Sequence, residues 1–128
     1  MRRAHSVGGD TVLRLWRATL NSWAGLKVAA RSEAAFREEL VALALGIPLA
    51  FFITPLAWKR LALIGVILLL LAIELLNTAI EKLADRLTTD HDPKIGQVKD
   101  MGSAAVGVSL LMAGMFWIFA LVERIGAI

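Results

Sequence analysis

The sequence predicts an all-α membrane protein, with an N-terminal interfacial amphipathic helix followed by three transmembrane helices. Composition is the first reason: 58% of the 128 residues are hydrophobic and mean hydropathy is +0.69, more than a soluble core of this size requires. The second is the presence of apolar stretches near 40–58, 61–80 and 101–122, each about the length of a bilayer crossing. The third is an uneven distribution of basic residues at the ends of those stretches.

Residues 1–10 read as a disordered tail, and the remainder, 11–128, as one membrane domain. "MRRAHSVGGD" is basic, but no apolar run with a cleavage site follows it, so no signal peptide is expected. From 11 to 31 the apolar residues Val12, Leu15, Trp16, Leu20, Trp23, Leu26 and Val28 recur at helical spacing between Arg14, Arg17, Lys27 and Arg31. A helix of this kind lies in the membrane surface with its basic groups on lipid phosphates, and Gly25 is expected to break its rhythm.

The first span, with its cytoplasmic extension, is placed at 33–58. Its nineteen residues Leu40 to Trp58 are uncharged, which is about 28 Å of helix. Ser32 is the expected N-cap, Glu33 and Arg37 form a favourable i,i+4 pair, and Pro55 marks the end. After the short "WKR" turn the second span returns, running with its extension over 61–87. A loop is expected over 88–100, where "TTDHDPKIGQ" supplies turn chemistry. The third span, 101–122, opens on "GSAAVGVS", in which Ser103 and Gly107 permit close helix contact.

Arg14, Arg17, Lys27, Arg31 and Arg37 flank one side, together with Lys82, Arg86, Lys94 and Lys99. The other side has only Lys59, Arg60 and Arg124. The N-terminus and the 88–100 loop are therefore expected in the cytoplasm. There are no cysteines, which excludes disulfides and thiolate metal sites. His5 and His91 lack zinc-ligand spacing. The net charge of +3 sits beside an apolar bundle, which favours an anionic membrane surface over nucleic acid.

The chemistry concentrates in "AIELLNTAIEKLADRL", Ala72 to Leu87, the continuation of an apolar helix. At 100° per residue, Glu74, Asn77, Thr78, Glu81 and Asp85 fall within about 60° of one line along it. Glu81 and Asp85 suit a helix leaving lipid for water. Glu74 lies two turns deeper, where a carboxylate costs several kcal/mol unless something pairs it. It serves either as a functional carboxylate or, with Asn77, as a polar clamp between helices. Thr78 is expected to bond back to its own helix.

Glu33 and Glu39 stand at the cytoplasmic level of Glu81. Carboxylates gathered from two helices suit a hard cation such as Mg²⁺, held with waters and substrate phosphates. Lys99 and Asp100 precede the third span, whose N-terminus beside a lysine suits a phosphate. No P-loop and no protein-kinase motif is present, so phosphoryl transfer here needs another architecture.

"EAAFREE", "ELLNTAIEKLADR" and "KDMGSAAV", in this order and spacing, resemble the bacterial integral-membrane diacylglycerol kinase family, and the likeness runs from about Arg14 to Val122. The resemblance implies a homotrimer in the inner membrane that transfers the γ-phosphate of ATP to the hydroxyl of diacylglycerol, with Mg²⁺ as cofactor. It implies that Glu74 is the general base and that Glu33 and Glu81 hold the metal. Arg14, Asn21, Glu33, Asn77, Glu81, Asp90, His91, Asp92, Lys99 and Asp100 would contact the nucleotide. Arg14, Trp23, Glu39, Glu74 and Ser103 would line the lipid site. The departures are Asn21, where an aromatic is usual, an N-terminal tail several residues longer, and the 88–98 loop, which diverges most. Undecaprenol is a sister specificity that these motifs do not separate. An ion- or proton-conducting subunit and a purely structural trimer are readings of another class.

Overall fold

The computed structural model describes residues 7–126 and 128. Among them the chain is entirely helical: α1 (Val7–Ser32), α2 (Ala34–Ile53), α3 (Ala57–Leu87) and α4 (Pro93–Arg124). The expected tail at 1–10 divides here. Residues 1–6 lie outside the described residues, while Val7 to Asp10 form the first turns of α1. Gly25 does not break α1; it sits within an unbroken helix beside open space.

The central element is α3. Both α2 and α4 pack against it antiparallel and touch each other lightly, and α1 likewise makes only light contact with α2 and α3. Two small apolar clusters hold the arrangement. One joins Ala29 of α1, Phe36 of α2 and Leu71 of α3. The other joins Ala50 and Ile53 of α2 to Leu63 of α3, with Trp117 of α4 against it. Between them, α2 approaches α3 closely at Gly46, where an added Cβ would meet Ile67 Cδ1 at 2.7 Å. Pro48 lies inside α2 and removes one helix hydrogen bond, a loss membrane helices tolerate when neighbours pack around it.

Three boundaries differ from those expected. The apolar stretch 40–58 is not one helix: α2 ends at Ile53, and Trp58 belongs to α3. Thr54 closes α2 through its N–H to Ala50 O, and its hydroxyl accepts from Leu56 N, so the turn is built from local bonds. Next, α4 begins at Pro93 rather than Met101, so the expected 88–100 loop shrinks to residues 88–92. Asp92 caps that helix, accepting from Lys94 N at 2.9 Å and Ile95 N at 3.3 Å, and Pro93 sits where no N–H is needed. Finally, Ser32 does not cap α2. Its hydroxyl donates to Val28 O in the last turn of α1, and Glu33 occupies the hinge in extended conformation.

Among the described residues two helices, α3 and α4, are long and apolar enough to cross a membrane, with hydropathies of 2.5 and 2.3. In α2 the charges of Arg37, Glu38 and Glu39 leave an apolar portion from Leu40 to Ile53 only. Large apolar side chains such as Phe52, Leu61, Leu76, Val108 and Ile118 stand uncovered on the outer faces, a surface that calls for lipid or another chain.

Candidate active site

The stripe read from the sequence is a physical feature of α3. Glu74, Asn77 and Thr78 are buried, Glu81 is partly exposed and Asp85 is exposed. Exposure thus rises along the helix toward its C-terminal end. Glu74 keeps only 7% of its surface accessible. Glu39, buried on α2, is close enough to Glu74 for their charges to interact, and so are Glu33 and Glu81. Carboxylates from the α1–α2 hinge, α2 and α3 therefore lie within electrostatic reach of buried Glu74.

Polar partners are incomplete within this layer. Asn77 Nδ2 donates to Glu81 Oε1 at 3.3 Å, which orients that carboxylate. Asn77 Oδ1, Thr78 Oγ1 and Glu39 Oε2 are buried without a hydrogen-bond partner, so Thr78 does not make the expected bond back to its helix. A buried polar atom left unpaired costs about 1–3 kcal/mol, which marks these atoms as awaiting water, ligand or another chain. Opposite Asn77 lies Gly102 of α4, where any Cβ would meet Asn77 Oδ1. That close approach lets α4 pass over the polar stripe, and sequence reading gave Gly102 no role.

Two ion pairs border the layer. Lys82 Nζ lies 3.4 Å from Glu33 Oε1, and Lys99 Nζ donates to Asp85 Oδ1 at 2.5 Å. The expected Glu33–Arg37 pair is replaced: Arg37 instead donates to Ala30 O at 3.0 Å and Arg31 O at 3.3 Å, capping the end of α1. Lys99 and Asp100 lie inside α4 and not at its N-terminus, which Asp92 already caps. Phosphate binding by free helix N–H groups at Lys99 is therefore ruled out, although the lysine itself still faces α3 through Asp85.

The remaining sequence-predicted residues are spread more widely. Arg14, Asn21 and Trp23 stand exposed on α1, which packs onto the body toward its C-terminal end, at Ala29 and Ala30. Asp90 and His91 are exposed in the short link, where Asp90 N donates to Thr88 Oγ1, and Asp92 is engaged as a cap. Ser103 and Gly107 are exposed on α4, so their close contact is not made within one chain.

Among the described residues no group of three or more His, Cys, Asp or Glu converges as a metal site. Glu33 and Glu81 are nonetheless both reachable, hard oxygen donors, and Mg²⁺ commonly takes one or two carboxylates with substrate phosphates and water. The donor set fits a metal that arrives with a nucleotide.

The profile described as prokaryotic diacylglycerol kinase matches residues 20–121. The chain belongs to that family. It is 38% identical over 123 residues to a diacylglycerol kinase of Escherichia coli strain K12, covering 96% of this chain and 99% of the relative. A diacylglycerol kinase of Pseudomonas aeruginosa is 42% identical over 110 residues, with 85% and 89% covered. One of Haemophilus influenzae is 39% identical over 100 residues, with 78% and 85% covered. The part of the chain shared with the prokaryotic diacylglycerol kinases includes the acidic stripe of α3, the Glu33 hinge and the Gly102 contact.

Proposed function

We propose that this protein is a membrane lipid kinase that transfers the γ-phosphate of ATP to the free hydroxyl of diacylglycerol, giving phosphatidate and ADP. The observation that carries the reading is the match to the prokaryotic diacylglycerol kinases over most of both chains. The site supplies chemistry suited to it. Glu74 is buried on a helix apolar enough to span lipid, at a depth a diacylglycerol hydroxyl can reach. It takes the hydroxyl proton as the oxygen attacks the γ-phosphorus, and the bond to the β–γ bridging oxygen breaks.

Phosphoryl transfer asks for positioning and charge neutralisation more than covalent help. Glu33 and Glu81 would hold the Mg²⁺ that accompanies ATP, which neutralises phosphate charge. Lys99 and Arg14 bring further positive charge, and Asn77 orients Glu81. Asn21, Asp90, His91, Asp92 and Asp100 complete the nucleotide contacts, and Trp23, Glu39 and Ser103 the lipid contacts.

We assign three membrane crossings, with the N-terminus and the 88–92 link in the cytoplasm of a bacterial inner membrane. The support for α2 as a crossing is its packing along α3 from Phe36 to Ile53. Three chains would form the working unit, as the family resemblance implies, and the exposure of Arg14, Trp23 and Ser103 on a single chain leaves them available to a neighbour.

The test is ATP turnover by purified protein in mixed micelles, comparing diacylglycerol with undecaprenol. Phosphatidate formation with diacylglycerol is expected. Phosphorylation of undecaprenol alone would move the specificity, and no lipid-dependent turnover would return the chain to a conducting or structural role. Crosslinking is expected to stop at trimer.

A further inference from the structure

Glu33 occupies the N-cap position of α2, yet its side chain caps nothing. Arg37 turns back to the α1 carbonyls, so it does not neutralise Glu33 either. The carboxylate instead reaches across to Lys82, one residue beyond Glu81 on α3. We propose that Lys82 is a resident counter-cation: it occupies Glu33 until the metal of an incoming nucleotide replaces it, and so sets how much metal the site needs. This rests on the reading of Glu33 as a metal carboxylate.

Three features support an exchangeable pair. The 3.4 Å separation is that of a loose ion pair and not of a short hydrogen bond. The lysine and glutamate side chains remain 49% and 28% exposed, so either can take a new partner without crossing a packed core. A displaced ammonium also has somewhere to go. Lys82 borders a groove of about 540 Å³ between α1 and α3, lined by Ser22, Leu26, Leu75 and Thr78. Thr78 Oγ1 is the buried, unpartnered hydroxyl four residues before Lys82, on the side toward which helix side chains lean. The lysine therefore has two acceptors, Glu33 without metal and Thr78 with it.

Binding of Mn²⁺ alone to the full-length protein in micelles, followed by its electron paramagnetic resonance signal, tests the exchange. Lys82→Met keeps the stem and removes the competitor, so Mn²⁺ affinity should rise about two- to fivefold, the scale of a partly exposed pair. Lys82→Arg should stay near wild type. Thermal unfolding gives a second readout. Lys82→Met should lower the midpoint without metal, and saturating Mn²⁺ should narrow the gap from wild type. Unchanged Mn²⁺ affinity in Lys82→Met, or a stability gap that metal does not narrow, would overturn the proposal and leave a plain hinge contact. Glu33→Gln separates the two readings. If it weakens Mn²⁺ binding while Lys82→Met does nothing, only the counter-cation fails; if Glu33→Gln itself binds Mn²⁺ normally, the metal assignment fails with it.

Discussion

The two ends of α3 treat polar groups in opposite ways. Near its start, Lys59 pairs with Glu123 of α4, Arg60 donates to Thr54 O at 2.8 Å, and Trp117 Nε1 donates to Leu63 O at 3.1 Å. Arg60 also stacks over Phe51, 4.3 Å from the ring centre. Each of these groups has a partner, and together they tie α2, α3 and α4. Near the other end, three buried polar atoms have none, and Glu74 lies within electrostatic reach of Glu33, Glu39 and Glu81. Unpaired buried atoms and neighbouring like charges carry a cost. The first end holds the bundle together, and the second is where the proposed reaction would take place.

The largest test of that contrast is Glu74→Gln. It keeps the shape and removes the proton acceptor, so phosphatidate formation should fall about 10²- to 10⁴-fold. Thermal stability should hold, because the change removes a buried charge. Lost folding alongside lost activity would instead make Glu74 a polar clamp.

Glu33→Ala and Glu81→Ala should each raise the Mg²⁺ concentration for half-maximal turnover at least about tenfold, measured with ATP saturating. Normal metal dependence in both would reduce them to a solvated helix end.

A methyl group can sharpen the comparison, because each end has its own close glycine. Gly102→Ala pushes on Asn77 and, through it, Glu81, and turnover should drop about tenfold or more from misplacement alone. Gly46→Ala pushes only on Ile67 and Trp117. It should cost about 1 kcal/mol of stability with KM for ATP unchanged, as unfolding midpoints and kinetics would report.

The smallest effect belongs to Lys59→Met. It leaves Glu123 without its partner in a half-exposed setting, so stability should fall by about 1 kcal/mol or less. Metal dependence should not move, and a shifted Mg²⁺ requirement would mean that the two ends are coupled.

Where one rhythm governed a segment, the sequence was readable. The acidic stripe follows directly from helical periodicity, and the apolar runs announce α3 and α4. What misled was competition between local signals. "DPKIGQVKD" looks like a loop by its Gly and charges, yet Asp92 before Pro93 is an N-cap signature that starts α4 early. Ser32 is a fair cap by residue type, but its hydroxyl was already engaged inside α1. The Lys82–Glu33 and Lys99–Asp85 pairs join residues far apart in sequence, and no spacing rule reaches that distance. Thr78 and Gly102 gain their meaning only when α4 and the α1 groove lie beside α3. The roles assigned to Arg14, Asn21 and Trp23 came from resemblance, and one chain leaves those residues out on α1.

With 31 residues, α3 is a rod of about 46 Å at 1.5 Å per residue, longer than a hydrocarbon layer of about 30 Å. No proline interrupts it, so its tilt moves both ends together. Its apolar stretch near 61–80 accounts for about 30 Å of that length, so the turns carrying Glu81 and Asp85 reach past a hydrocarbon layer. One uninterrupted helix thus fixes the spacing between Glu74 and the exposed carboxylates.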